Sequence, residues 1–279
     1  YLIYKGELEL LSLVTFNSVI LYLFNPVKKL VDLMPKYNYL KASFSKLSEF
    51  LATEIEKEQG GLKHLIDPNI EVKDLTYSYD LFNKIINKVN FAIKSKEKVL
   101  LSGPSGSGKS TICKLIYRSL GTYSGNIEFN NTSECDYSLK AIRENILYVG
   151  QNEKLFTGTI RENIICFRNI SDEKFKQVCK ICKLEEIINK RPNRYNTIIN
   201  ASLNNLSGGE KQRIILARAL LKKAKIIILD EALSEVNVNM EKEILDNIFT
   251  YFKNNTLIYV THKNVEDKFT KIIRLGELC

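Results

Sequence analysis

Residues 10–24 are apolar on every side, interrupted only by Ser12, Thr15, Asn17 and Ser18. The pattern continues past Asn25-Pro26 through Val27, Leu30, Val31, Leu33 and Met34. A run of this length predicts a helix that crosses a membrane. Glu7 and Glu9 precede it, while Lys28, Lys29, Lys36, Lys41 and Lys46 follow. That asymmetry puts the C-terminal side in the cytoplasm. Pro26 is placed to kink the helix as it leaves the lipid. A charged helical pattern then runs over 40–58 and breaks at Gly60-Gly61.

The period changes beyond the glycines. Residues 70–79 alternate like a strand, and 90–93 and 99–101 read as further strands around a turn at 94–98. Residues 109–120 read as a helix, 125–129 and 146–149 as strands, and 171–190 as mostly helical. Ser207 opens a helix that runs through Leu221. Residues 226–229 and 257–260 are unbroken apolar runs, as expected of strands buried on both faces. Strands alternating with helices predict an α/β domain with a mostly parallel sheet. Ligands of such sheets sit at the carboxyl ends of the strands.

Composition changes this picture little. The 279 residues are 44% hydrophobic and 26% charged, which is globular. The formal net charge of +9 comes from lysines spread along the whole chain, without a dense block. We read it as solvated surface and expect no nucleic acid partner. The six cysteines, Cys113, Cys135, Cys166, Cys179, Cys182 and Cys279, form no extracellular disulfide framework. Cys179-Lys180-Ile181-Cys182 lacks the second pair that a metal site would need. The chain starts at Tyr1 without a basic n-region or a cleavage site, so it reads as a fragment of a longer protein rather than one with a signal peptide.

The chemistry begins directly after the strand at 99–101. Gly103, Pro104, Ser105, Gly106, Ser107, Gly108, Lys109, Ser110 and Thr111 form a phosphate-binding loop that leads into a helix. Glycines let the backbone curl so that successive N–H groups face phosphate oxygens. The helix adds its positive end. Lys109 can reach the β- and γ-phosphates, and the Ser110 hydroxyl can ligate Mg²⁺. The run 226–229 ends in Asp230 and Glu231. Asp230 suits Mg²⁺, and Glu231 suits a general base acting on the attacking water. The strand at 257–260 ends in Thr261-His262. All three features fall at strand carboxyl ends.

The string Leu206-Ser207-Gly208-Gly209-Glu210-Lys211-Gln212-Arg213 resembles the signature of ATP-binding cassette (ABC) proteins. Ser207 can cap a helix, and the two glycines let phosphate approach its backbone. The other landmarks of that family follow the same order. Tyr148-Val149-Gly150-Gln151 looks like the segment whose glutamine contacts Mg²⁺. His262 matches the switch histidine that contacts the γ-phosphate, and Tyr79 matches the aromatic that stacks on adenine. The resemblance covers 70–276. It implies a cassette with a mostly parallel core sheet, an antiparallel β subdomain and a helical signature subdomain, preceded by a membrane-exiting helix. The implied activity is ATP hydrolysis coupled to transport. The implied division is 1–46 as the end of a transmembrane domain, 47–69 as linker and 70–279 as nucleotide-binding domain. Two cassettes, here expected to be two copies of this chain, would sandwich ATP head-to-tail.

The segment Phe16-Asn17, Tyr22 to Pro26 and Leu33-Met34-Pro35 resembles the last transmembrane helix of bacteriocin-type peptide exporters. Multidrug or lipid exporters, a soluble ABC ATPase and a non-catalytic regulatory cassette stand as alternatives. Two departures bear on coupling. The family's Ser-Ala-Leu-Asp is Ser234-Glu235-Val236-Asn237 here, and its Gly-Glu before the signature is Asn200-Ala201.

Overall fold

The computed structural model describes residues 5, 10–53, 60–62, 65–80, 83–200 and 206–276. Glu7, Glu9 and Ala201 lie outside the described residues. The chain divides into two compact units, Tyr1–Lys57 and Glu58–Cys279.

In the first unit, α1 (Leu10–Ala52) is one helix of 43 residues with Pro26 and Pro35 inside it. At 1.5 Å per residue it is about 65 Å long, twice the hydrocarbon thickness of a bilayer. It is long and apolar enough to cross a membrane. Leu11, Phe16, Leu21, Tyr22 and Phe24 all stand exposed around it. Two of its hydroxyls are partnered within the helix: Thr15 Oγ1 donates to Leu11 O at 3.0 Å and Ser18 Oγ to Val14 O at 2.9 Å. Such back-bonding lets a polar side chain sit in lipid without an orphaned donor.

The second unit opens with β1 (Ile70–Ser78), β2 (Lys84–Ile93) and β3 (Lys98–Ser102), then α2 (Lys109–Ile116), β4 (Ser124–Phe129) and β5 (Thr132–Ser133). There follow α3 (Leu139–Asn145), β6 (Ile146–Val149), β7 (Gly158–Thr159), α4 (Ile160–Ile165), α5 (Asp172–Ile181), α6 (Glu185–Asn189) and β8 (Ile198–Ile199). The unit closes with α7 (Gly208–Leu220), β9 (Ile226–Asp230), α8 (Val238–Tyr251), β10 (Thr256–Val260) and β11 (Lys271–Arg274).

Five strands form a parallel sheet in the order β11-β3-β10-β9-β6. Four form an antiparallel sheet, β2-β1-β4-β5. Alternate residues of each parallel strand serve two separate cores. Val99, Leu101, Ile226, Ile228, Ile258 and Val260 pack with α2 and the antiparallel sheet. Leu100, Ile227, Leu229, Leu257 and Tyr259 pack with the helices on the other face. Burial on both faces is why β9 and β10 read as continuous apolar runs.

Several boundaries differ from the sequence reading, each for a local reason. The helix expected over 109–120 stops at Ile116, because Arg118 turns left-handed at φ 52°. The helical stretch 171–190 is split by Lys183, which turns left-handed at φ 52°. β2 begins at Lys84, well before residue 90, because its first half is an edge with polar Lys84, Asn87 and Lys88 outward. Its pairing with β1 slips in register, which hides the alternation.

Candidate nucleotide-binding site

The site is assembled at the carboxyl ends of β3, β9 and β10. The order β3-β10-β9 puts β10 between the other two, so His262 emerges between the phosphate loop and Asp230-Glu231.

β3 hands over to α2 through the loop 103–108. Gly108 takes φ 87° at the N-cap of α2, and a Cβ there would press on Ile86 Cγ1 at 2.9 Å. Only glycine satisfies both the left-handed turn and the close approach. Lys109 is the first residue of the helix, and its side chain folds back into the loop. Its Nζ donates to Gly103 O at 2.8 Å and Pro104 O at 2.7 Å. Burial lowers the pKa of this lysine, while the charges of Glu231 and Asp230 work to raise it. Ser107 Oγ is buried without a hydrogen-bond partner. A buried orphan hydroxyl inside a loop of backbone donors is what a cradle for an external anion leaves behind.

Behind the loop, both oxygens of the Asp230 carboxylate are engaged. Ser110 Oγ donates to Oδ1 at 2.8 Å and Tyr148 OH to Oδ2 at 2.9 Å. The parallel pairing of β6 with β9 brings Tyr148 there, and its ring stacks on Tyr117 at 5.5 Å. Burial, with the Asp230 charge beside it, pushes the Tyr148 hydroxyl well above its ordinary pKa. It therefore stays protonated and acts only as a donor to the carboxylate. Ser110 and Asp230 are hard oxygen donors of the kind a magnesium ion takes. They line an open cavity of about 490 Å³ together with Gln151.

Glu231 follows Asp230 with φ 53°, an unusual state for a residue with a long side chain and one that concentrates at functional sites. Its N–H donates to Val260 O at 3.0 Å. Its Oε1 lies 3.0 Å from His262 Nε2. Both side chains line a second cavity, of about 250 Å³, with Ser105, Gly106, Gly108 and Lys109. A carboxylate held by a histidine thus faces the phosphate loop.

Other sequence candidates lie elsewhere. Tyr79 stands half exposed beyond β1, its ring edge-on to Tyr77 at 5.1 Å and its OH 3.4 Å from Thr111 Oγ1. Ser207 caps α7 in a full capping box: its Oγ accepts from Glu210 N, and the Glu210 carboxylate accepts from Ser207 N at 2.8 Å. Ser207, Gly208 and Gly209 line neither cavity. Their end of α7 meets the loop after Glu231 instead, where Glu235 packs on both glycines. Cys179 and Cys182 are buried in the helical core. Burial pushes the Cys179 thiol up to about 12 and raises the Cys182 thiol well above its ordinary value.

Three participants were not legible in the sequence. Tyr148 carries no signal of its own beyond the glutamine segment that contains it. Lys263 donates to Leu233 O and Glu241 Oε2, each at 2.8 Å, and to Val236 O. Glu241 is fully buried, and it also accepts from Tyr259 OH at 2.6 Å. This network ties the His262 turn to α8 and to the loop 233–236. A charged residue beside a histidine gives no sequence signal of such a role.

A glycine-rich loop with its lysine at the end of a parallel strand, and an Asp-Glu pair at the end of a neighbouring strand, define a phosphate-loop nucleotide-binding protein. The ABC transporter family model matches residues 86–234, and the chain belongs to that family. It is 31% identical over 263 residues to the lactococcin-G-processing and transport ATP-binding protein LagD of Lactococcus lactis subsp. lactis, covering 92% of this chain and 37% of that one. It is 29% identical over 282 residues to the transport/processing ATP-binding protein ComA of Streptococcus pneumoniae, covering 99% and 39%. A bacterial Atm1-family ABC exporter solved with ATP bound matches with a TM-score of 0.75 at 25% identity, covering 97% of this chain and 49% of that one. The chain spans less than two fifths of the length of these curated relatives.

Proposed function

We propose that this chain is the ATP-hydrolysing end of a membrane exporter whose cargo is a peptide. The observation that carries the hydrolytic part is the Glu231–His262 pair, 3.0 Å apart and facing the phosphate loop. In this reading Lys109 and the N–H groups of 103–111 hold the β- and γ-phosphates. The buried Ser107 hydroxyl gains the partner it otherwise lacks. Ser110, Asp230 and Gln151 hold a magnesium ion, with Tyr148 fixing the Asp230 carboxylate. Magnesium, when bound, neutralises charge on the β- and γ-oxygens. Glu231 accepts the proton of the attacking water. His262 orients Glu231 and contacts the terminal phosphate. Tyr79 stacks on the base.

Ser207, Gly208 and Gly209 are far from serving the chain's own loop in this reading. They receive the nucleotide of a second copy, so that ATP joins two cassettes and hydrolysis releases them. Helix α1 carries the coupling into the membrane, with the cassette on the cytoplasmic side. Peptide cargo is supported by relatives named for lactococcin G, lactococcin A and pediocin PA-1 transport and processing.

Two measurements test the reading. Glu231→Gln keeps shape and loses the base, so Mg-ATP should still bind while turnover falls about 10²- to 10⁴-fold. Turnover at the parental rate removes Glu231 from the chemistry. For cargo, the full-length protein in liposomes should move a leader-bearing peptide in an ATP-dependent way. Transport of dyes or lipid, but of no such peptide, rejects the peptide reading and leaves the ATPase standing.

A further inference from the structure

The loop that follows Glu231 crosses the N-terminal end of α7, and Gln212 clamps it there. Gln212 Oε1 accepts from Glu235 N and Gln212 Nε2 donates to Ser234 Oγ, both at 2.8 Å. The Glu235 carbonyl lies so close that a Cβ on Gly209 would meet it at 2.9 Å. The side chain goes further. The Glu235 carboxylate fills the space that a Cβ on Gly208 would need. The glycine is thus roofed by an acid from its own chain.

The charge is well placed to stay. The capping box occupies the N–H groups of Ser207 and Glu210. Those of Gly208 and Gly209 belong to the first turn and have no partner within the helix. The Glu235 carboxylate lies on the side of Gly208 that a Cβ would take, in the first turn of α7, where a helix favours a negative charge. Glu235 is solvent-exposed, so its side chain can swing out while Gln212 keeps the backbone clamped.

We propose that the Glu235 carboxylate is a built-in competitor for the terminal phosphate of the second copy's nucleotide. The proposal rests on the reading that Ser207–Gly209 receives that nucleotide. Two anions cannot share one helix end, so each cassette must turn its own acid outward before the sandwich closes. Glu235 then sets how much ATP the dimer needs, without touching the nucleotide on its own phosphate loop. Displacing one such charge amounts to about 2- to 5-fold in affinity. A symmetric dimer contains the end twice, so the dimerisation constant changes by about 4- to 25-fold.

The test uses the 279-residue chain in detergent with Glu231→Gln, so that ATP persists. Sedimentation velocity in Mg-ATP gives the dimerisation constant, and a fluorescent ATP analogue at high dilution gives nucleotide affinity of the monomer. Glu235→Ala and Glu235→Gln should both tighten the ATP-dependent dimer by about 4- to 25-fold, with monomer affinity unchanged. ATP-dependent dimers with the same constant in parent and both variants overturn the competitor role and leave the sandwich intact. If neither parent nor variants dimerise in ATP, the reading of Ser207–Gly209 fails and the competitor falls with it. A changed monomer affinity also overturns the proposal, because Glu235 would then act through its own site.

Discussion

Asp230 accepts from two hydroxyls at once, and the second of them makes a sharp prediction. Removing the Tyr148 hydroxyl leaves Asp230 Oδ2 without its 2.9 Å donor while keeping the ring stack on Tyr117. Supporting partners of this kind are worth about 10- to 100-fold in metal affinity. Tyr148→Phe should therefore weaken Mn²⁺ binding in the presence of ATP toward that range, read by paramagnetic resonance, with nucleotide affinity in EDTA unchanged. Lys109→Ala removes a charged donor that is nearly buried, and should weaken Mg-ATP binding by about 10- to 100-fold in a calorimetric titration. Near-parental affinity would move the phosphates elsewhere. At this scale the phosphate loop, Asp230-Glu231 and His262 were all legible in the sequence, because each is a local string at the end of an apolar run. Tyr148 and Lys263 were not. Their partners depend on the register of β6 with β9 and on where α8 lies against β10, and neither is encoded near them in the chain.

Among the elements, α7 and α8 begin alike. Ser207 caps the first, and Asn237 caps the second by accepting from Met240 N at 2.9 Å. Loss of such a cap costs about 1 kcal/mol. Asn237→Ala should lower the thermal midpoint by a few degrees, while Asn237→Asp, which keeps the acceptor, should hold it. Differential scanning calorimetry separates the two, and equal losses would mean that capping is not what Asn237 supplies. The capping role explains how asparagine stands in for the family's aspartate without loss of local structure. The parallel strands were readable because burial on both faces leaves unbroken apolar runs. Helices α3 and α4 were not, since segments of seven and six residues are too short to establish a helical period. The start of β2 was hidden by left-handed Lys88 and by the slips in its pairing with β1.

The whole molecule combines a helix whose described side chains are exposed almost throughout with a unit that carries two cores of its own. The apolar surface of α1 is far beyond what a soluble helix tolerates. The chain should therefore float with lipid vesicles in a density gradient, whereas residues 58–279 alone should remain in the aqueous fraction and still bind ATP. Recovery of the whole chain in the aqueous fraction would argue against a membrane span. The Lys263 ammonium, bonded at once to Leu233, Val236 and Glu241, has a mechanical consequence at this scale. It is a rivet joining the turn that bears His262, the loop that bears Glu235 and the start of α8. A push on the histidine is then passed on as a displacement of one rigid piece rather than absorbed by a soft loop. Amide exchange over 233–241 should slow as a block when Mg-ATP binds, and Lys263→Met should break that block into independently opening segments.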